Sequence, residues 1–374
     1  MRARDYFPLG VAAGSAFCNR KQETDLLVEN IKNTKHTLLM ATRRYGKSSL
    51  ALHALALSKY SYTEIDFYMA TSEKMVEKYI LNGIVDLIGK TLGPINKLLA
   101  SIKRYVKNLK PKIDIGNSNF KLELTSDEKS DPATNVKEGL LLLEKLLEEK
   151  NKHAVLLLDE FQNVGILAQG KGIEAAIRHV AQKTKYLTFI FSGSNRKMLK
   201  TMFEDATRPL YKLCWKIGVK RISREHYLSH FQKAAKLNWK KALDESVIDK
   251  ILLLTERHPF YVNKLADRIW TYHDSKEMPS IDSVERAWVE ILEEEKSDAI
   301  KEISMLSLGQ KSVLYQIALN NPHITNKQSI LDLQMTSSSI MTALAGLTEK
   351  DVIEKEDEHY QIISPIVKFY ALRK

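Results

Sequence analysis

Short apolar runs alternate with helix-like segments over the first half of the chain. Four runs have the length of buried strands: residues 38–40, 62–69, 154–158 and 187–191. Three segments between them show the apolar spacing of helices: residues 49–55, 72–90 and 136–150. Strands that alternate with helices predict an α/β fold whose parallel sheet carries helices on both faces.

A segment at about 93–133 does not fit this alternation and is predicted to be an insertion. Polar and apolar residues alternate at 112–115 and again at 120–124. The residues between them, Gly116-Asn117-Ser118, are typical of a tight turn. The pattern predicts a helix followed by a β-hairpin.

The strand pattern stops near residue 222 and helices follow. Four segments show helical spacing: 224–236, 246–256, 258–273 and 282–296. From about residue 307 the order is three helices and then a strand–polar tip–strand segment at 352–362, as in a winged helix-turn-helix. We therefore predict three domains: a core at 1–222, a helical lid at 223–305 and a winged helix at 306–374.

The loop after the first strand carries the most specific motif. Ala41-Thr42-Arg43-Arg44-Tyr45-Gly46-Lys47-Ser48 leads into a helix that includes Ser49. In a strand–loop–helix unit, backbone N–H groups turn toward a polyphosphate, Lys47 reaches the outer phosphates and the Ser48 hydroxyl ligates Mg²⁺. The pattern indicates a Walker A loop, although Ala41 replaces its leading glycine. The alternative is an ordinary helix N-terminus.

The run 154–158 ends in two carboxylates. Asp159 is predicted to hold the Mg²⁺ shell, and Glu160 to polarise the water that attacks the γ-phosphate. The alternative is a core strand that ends in solvated acids.

The run 187–191 ends in Ser192-Gly193-Ser194-Asn195. One of the polar residues Ser192, Ser194 and Asn195 is predicted to sense the γ-phosphate; the alternative is a simple turn.

Charge and composition narrow the function classes. The formal net charge is +11, and residues 183–224 contain eleven Lys and Arg against two acids. Such a region faces nucleic-acid phosphates, an acidic partner or only solvent. Two cysteines are too few for a disulfide framework, and no signal peptide or membrane span is apparent. We expect a cytoplasmic protein with no membrane partner.

Taken together, these motifs resemble the archaeal-type P-loop ATPases of the STAND group, which is related to the AAA+ proteins. The resemblance is carried by Phe17-x-Asn19-Arg20-x-x-Glu23, by Arg43 to Leu50, by Leu-Leu-Asp159-Glu160 and by Ser192-Gly193-Ser194. It implies ATP or ADP and Mg²⁺ as cofactors.

The resemblance also implies roles for individual residues. Phe17, Asn19 and Arg20 would line the adenine side, and Thr42 to Ser49 the phosphates. His258-Pro259 would belong to a lid motif, although this family usually has Gly where His258 stands. Arg208 would reach the γ-phosphate in a neighbouring subunit; the alternative is a surface arginine before Pro209.

The function predicted from these features is a Mg²⁺-dependent ATPase that acts as a nucleotide-controlled switch. A protein partner or self-association is expected. The acidic wing and the lack of basic residues in the third C-terminal helix favour a protein-contacting or lid-locking wing. The alternative function is an ATP-regulated DNA-binding factor, of the initiator or mobile-element accessory kind, that uses residues 183–224.

Overall fold

The computed structural model describes residues 3–93, 98–116, 119–127, 129–167, 171–273, 277–321, 324–356 and 359–373. These residues divide into two compact units. One unit, here the sheet unit, contains residues 20–43 and 47–219. The other, here the helical unit, contains residues 1–19, 44–46 and 220–374. The three-domain division stays a prediction.

The sheet unit contains a five-stranded parallel sheet and a separate β-hairpin. In chain order its elements are α1 (Lys21–Lys32), β1 (Thr37–Ala41), α2 (Lys47–Ser58), β2 (Ser61–Asp66), α3 (Glu73–Leu92), α4 (Leu99–Tyr105), β3 (Lys110–Gly116), β4 (Asn119–Thr125), α5 (Pro132–Lys150), β5 (Ala154–Asp159), α6 (Gln162–Ile166), α7 (Lys171–Ala181), β6 (Leu187–Gly193), α8 (Arg196–Glu204) and β7 (Trp215–Val219). The strand order in the sheet is β2-β5-β6-β1-β7. The predicted α/β fold with a parallel sheet is confirmed.

Local sequence explains where these elements begin. Ser72 caps α3 by accepting a hydrogen bond from the Met75 backbone, as its position before the helix predicts. Asp131 caps α5, and Pro132 occupies the first helical turn, where its missing N–H costs nothing. Strands β5 and β6 are apolar without alternation because both faces of a parallel sheet are covered.

The core of the sheet unit lies between the sheet and the set of helices α3, α5 and α7, which pack side by side. The predicted insertion contains α4 and the antiparallel pair β3–β4. The turn predicted at Asn117 and Ser118 lies outside the described residues. The stretch Trp215–Val219 forms the edge strand β7 beside β1.

The helical unit has an apolar core of its own. Its elements are the short 3-10 helices Ala3–Tyr6 and Gly14–Ala16, then α9 (Arg224–Trp239), α10 (Glu245–Leu254), α11 (Pro259–Tyr272), α12 (Ile281–Ser304), α13 (Leu308–Ala318), α14 (Lys327–Leu333), α15 (Ser337–Glu349), β8 (Ile353–Glu356), β9 (His359–Ile362) and α16 (Pro365–Ala371). Phe7 packs against Phe231 and Trp270, which ties the N-terminal segment to this unit.

The last helices and the β8–β9 hairpin lie where the sequence predicts them, and the winged-helix assignment itself stays a prediction. The predicted wing tip at Asp357 and Glu358 lies outside the described residues. Within the described ranges, no helix has the combined length and apolar character needed to cross a bilayer.

Candidate functional site

The carboxyl ends of β1, β5 and β6 lie at the same edge of the sheet. Met40 is in register with Gly193, and Leu158 is in register with Phe191. Strand β6 therefore separates the other two, and at the usual strand spacing the ends of β1 and β5 are about 10 Å apart. The fold thus places the predicted phosphate loop, the predicted carboxylates and the predicted sensor residues at one edge.

The loop after β1, the predicted phosphate loop, contains two residues with left-handed backbones. Arg44 has φ 65° and Gly46 has φ 87°, both in the left-handed region. A Cβ placed on Gly46 would meet no atom within 4 Å, so this glycine is required by its backbone angle and the space beside it is open. Helix α2 then begins at Lys47, and the N–H groups in the first turn of a helix have no partner within the helix itself.

Exposure varies along this loop. Thr42, Lys47 and Ser49 are buried, Ser48 is half-buried and Arg43 is exposed. Lys47 is thus not an ordinary surface lysine, and its contact with phosphate stays a prediction.

Three acidic residues concentrate negative charge beside this edge. Asp159 ends β5 and lies opposite Asp66 of β2 in register. Burial, together with the charges of Asp159 and Asp66, raises the pKa of Glu64 above its ordinary value. No group of three or more His, Cys, Asp or Glu suited to a metal occurs among the described residues.

The Glu160 carboxylate is held by two donors. The Ser194 hydroxyl donates to Glu160 Oε2 at 2.7 Å, and the Gln162 side-chain amide donates to the same oxygen. The backbone of Glu160 is left-handed, with φ 48°. Its N–H donates to Asp159 Oδ1 at 3.0 Å, and the next N–H, that of Phe161, donates to the Ser192 carbonyl at 2.9 Å.

The polar residues after β6 have distinct environments. Ser194 contacts Glu160, as described above, whereas Asn195 caps α8 by accepting from the Met198 backbone at 2.9 Å. The Ser192 hydroxyl is buried and finds no hydrogen-bond partner in the part of the chain that the structure describes. Buried polar atoms are normally paired, so this hydroxyl is suited to a ligand or an ordered water.

These residues fit a magnesium-bound nucleoside triphosphate. Within the sheet unit, the unpartnered Ser192 hydroxyl and the acids around Asp159 are features that such a group needs. Lys47 and the N-terminus of α2 would hold the phosphates, and Ser48 and Asp159 would hold the metal.

The residues predicted for the adenine side precede α1. Phe17 is half-buried, and Asn19 and Arg20 are consecutive left-handed residues with φ 53° and 65°. Arg20 is only 5% exposed, and its guanidinium lies 3.6 Å from the Glu23 carboxylate. Arg20 is thus no ordinary surface charge, and its contact with adenine stays a prediction.

Residues 44–46 of the loop belong to the helical unit, where Tyr45 is 2% exposed. The Tyr45 hydroxyl donates to Glu354 Oε1 of β8 at 2.6 Å and accepts from Arg221 Nε at 2.9 Å. Burial raises the pKa of Tyr45, so the hydroxyl keeps the proton that it donates. The Arg44 guanidinium lies 4.3 Å from the centre of the Phe260 ring. Three residues of the predicted phosphate loop are therefore anchored in the helical unit.

His258 packs against Tyr45, with the two rings edge to face at 4.9 Å. Burial, with smaller contributions from Arg221 and Arg44, lowers the pKa of His258 to about 3. The ring is thus neutral, and its Nδ1 has no hydrogen-bond partner within the described residues. Pro259 occupies the first turn of α11. Contact of either residue with nucleotide stays a prediction.

Arg208 is committed to a partner inside the sheet unit. Its guanidinium forms an ion pair with the carboxylate of Glu174 on α7, and both side chains are buried. Burial raises the pKa of Glu174 to about 7, an effect that Arg208 only partly offsets. The predicted reach into a neighbouring subunit would require this buried pair to open.

The basic region 183–224 is partly neutralised in the fold. Among the described residues, at least five of its eleven cations form ion pairs with acids: Arg208 with Glu174, Lys216 with Glu204, Lys220 with Glu356, Arg221 with Glu256 and Glu354, and Arg224 with Glu245 and Asp249. Fewer charges are left to attract DNA than the sequence count suggests, and DNA binding by this region stays a prediction.

Comparison with known proteins agrees with this geometry. Residues 101–212 match a family model described as an AAA domain. The Walker-type ATPase of Pyrococcus abyssi is 19% identical, with 99% of this chain and 100% of that chain covered at a TM-score of 0.68. The chain has the fold of a Walker-type ATPase. No curated protein matches it.

Two proteins of Aeropyrum pernix share the fold at lower similarity. The ORC2 protein of Aeropyrum pernix, solved as ADPNP and ADP complexes, is 13% identical, with 99% and 96% coverage and a TM-score of 0.59. The ORC1 protein of the same organism, solved with DNA, is 12% identical, with 99% and 96% coverage and a TM-score of 0.51. The family match and the shared fold support the interpretation of this chain as an ATPase.

The sequence interpretation missed three functional features. The partners of Tyr45 lie 176 and 309 residues away in the chain, and no local pattern signals them. Arg208 and Glu174 are 34 residues apart, and no local pattern signals their pairing either. Gln162, by contrast, comes two residues after Glu160, so its position near the carboxylates was a usable signal.

Proposed function

We propose that this protein is a Mg²⁺-dependent ATPase in which nucleotide binding is coupled to the position of the helical unit. The observation that carries the proposal is the meeting of three strand ends at one sheet edge, with Lys47, Asp159 and Glu160 at that edge. The cofactors are ATP or ADP and Mg²⁺.

The chemistry assigned to each group follows from its position. Lys47 and the N-terminus of α2 bind and neutralise the terminal phosphates. Ser48 and Asp159 would hold Mg²⁺, which would supply positive charge to offset that of the phosphates. Glu160 orients the attacking water, and the Ser192 hydroxyl is a hydrogen-bond donor for the phosphate end.

The switch is supported by the anchoring of the loop. Tyr45 and Arg44 pack and hydrogen-bond with residues of the helical unit, whereas Lys47 follows Gly46 directly in the chain and belongs to the sheet unit. A ligand that changes the conformation of residues 44–46 therefore acts on the contacts around Glu354. Coupling of this kind is reciprocal. The factor by which nucleotide shifts the equilibrium of the Glu354 contacts equals the factor by which a change in those contacts alters nucleotide affinity.

Two substitutions test the ATPase assignment. Lys47→Ala removes the phosphate-binding ammonium, and we expect calorimetry to show weaker ATP binding. Glu160→Gln keeps the shape of the side chain but removes the base, so ATP binding is retained and hydrolysis is lost.

Lys59→Ala is the matched control for Lys47. Lys59 is exposed just beyond the other end of α2, about 18 Å along the helix, and its loss should leave ATP binding unchanged. Normal ATP affinity in Lys47→Ala, or an unaltered rate in Glu160→Gln, would contradict the proposal.

A further inference from the structure

The side chain of Gln162, at the start of α6, is not explained by packing alone. Gln162 is only 5% exposed, and its Oε1 has no hydrogen-bond partner among the described residues. A buried amide with an unsatisfied oxygen is less favourable than an apolar side chain of the same size. We therefore attribute the presence of an amide at this position to its N–H group, which donates to Glu160 Oε2.

The backbone of β6 is shaped around this side chain. A Cβ on Gly193 would overlap Gln162 Oε1 and would lie 3.2 Å from Gln162 Cδ and from Leu199 Cδ1. Gly193 is not in a left-handed conformation, so its lack of a side chain serves space and not backbone freedom. The close strand leaves Gln162 little room to move away from Glu160.

The Gln162 amide and the Ser194 hydroxyl donate to the same oxygen of Glu160. Two donors from two different elements, α6 and the end of β6, limit the rotation of the carboxylate. A base that acts on water must hold its orientation to within a fraction of an ångström, so loss of one donor reduces the population of the productive orientation.

We propose that Gln162 is a positioning residue for Glu160, and that Gly193 is required because a larger residue would displace Gln162. The inference rests on the proposed ATPase function and extends it to how the carboxylate is oriented. It concerns the rate of the chemical step and not the binding of nucleotide.

The first test is the kinetics of Gln162→Met, which keeps the side-chain volume and removes the donor. We expect kcat to fall by about 10- to 100-fold, the effect of losing one hydrogen bond to a charged group, with KM for ATP changed less than about twofold. Asn163→Leu is the control. The Asn163 side-chain amide donates to the Phe67 carbonyl at 3.0 Å and not to the Glu160 carboxylate, so kcat should stay within about twofold.

The second test needs no activity. Gly193→Ala should lower the Tm of the nucleotide-free protein, and the same change in a Gln162→Ala background should lower it much less, because the overlapping side chain is gone. Equal losses of Tm in both backgrounds would overturn the role given to Gly193.

Each remaining outcome decides the question. A normal kcat in Gln162→Met, or losses in kcat and KM that Asn163→Leu reproduces, would overturn the positioning role. Wild-type protein that binds ATP but does not hydrolyse it would instead count against the proposed function, and the Tm comparison would still test the contact between Gly193 and Gln162.

Discussion

Replacing Tyr45 by phenylalanine isolates the contact between the phosphate loop and the helical unit. The ring that packs against His258 is kept, and only the hydroxyl is removed. That hydroxyl makes two hydrogen bonds, at 2.6 Å to Glu354 and at 2.9 Å to Arg221, and both partners are charged.

The expected loss of stability follows from these partners. One hydrogen bond to a charged group contributes about 1.5–3 kcal/mol. Arg221 also donates to the carbonyls of Glu256, Ile362 and Ile363, and it lies 3.7 Å from Glu354, so part of the loss is recovered. We expect a net decrease of about 2 kcal/mol in the free energy of unfolding, or a Tm lower by about 4–8 °C for a unit of this size.

A second effect is expected on ATP affinity. Arg44 holds a left-handed backbone, which costs a non-glycine residue about 1–2 kcal/mol. If Tyr45 no longer anchors the loop, ATP binding must bear that cost, and Kd rises by about 5- to 30-fold. The assays are thermal unfolding without nucleotide and calorimetric titration with ATP.

Tyr370→Phe is the matched control. The Tyr370 hydroxyl donates to the Leu292 carbonyl at 2.9 Å within the same unit, away from the loop. We expect this variant to lose stability and keep its ATP affinity. If Tyr45→Phe behaves in the same way, with lower Tm and unchanged Kd, the proposed coupling between loop and helical unit is refuted.

Two further predictions concern buried ionisable groups. Arg208→Met should destabilise the protein by about 3–5 kcal/mol, because it leaves the buried Glu174 carboxylate unpaired. Adding Glu174→Gln to this variant should restore much of the lost stability. A fall in ATPase rate with unchanged stability would instead support the predicted reach of Arg208 into a neighbouring subunit. The pKa of His258 is about 3 when folded and near the ordinary value when unfolded, so the unfolded chain binds the proton first and stability falls as pH drops below about 6.5. When the pH falls from about 7 to about 5, the free energy of unfolding of His258→Phe should decrease by about 2 kcal/mol less than that of the wild type. Denaturant unfolding measures this difference, and equal slopes of stability against pH would refute the assignment.

The sequence by itself determined the sheet fold and most of the candidate site. A phosphate loop and a pair of strand-end carboxylates each come directly after an apolar run in the chain. Lys47, Asp159 and Glu160 were therefore recognisable from the runs before them. The parallel arrangement then required these strand ends to lie at one edge. Helix starts such as Ser72 were equally readable, because capping depends only on neighbouring residues.

Only the tertiary structure decided what each polar side chain contacts. Tyr45 and Glu354 are 309 residues apart, and Arg208 and Glu174 are 34 apart on different elements. Their pairing depends on how helices and strands pack, and periodicity along the chain holds no information about it. The same holds for Gly193, whose need for space arises from the side chain of Gln162 on another element. Local patterns thus identified the groups suited to the chemistry, and packing determined which of them are held, buried or already paired.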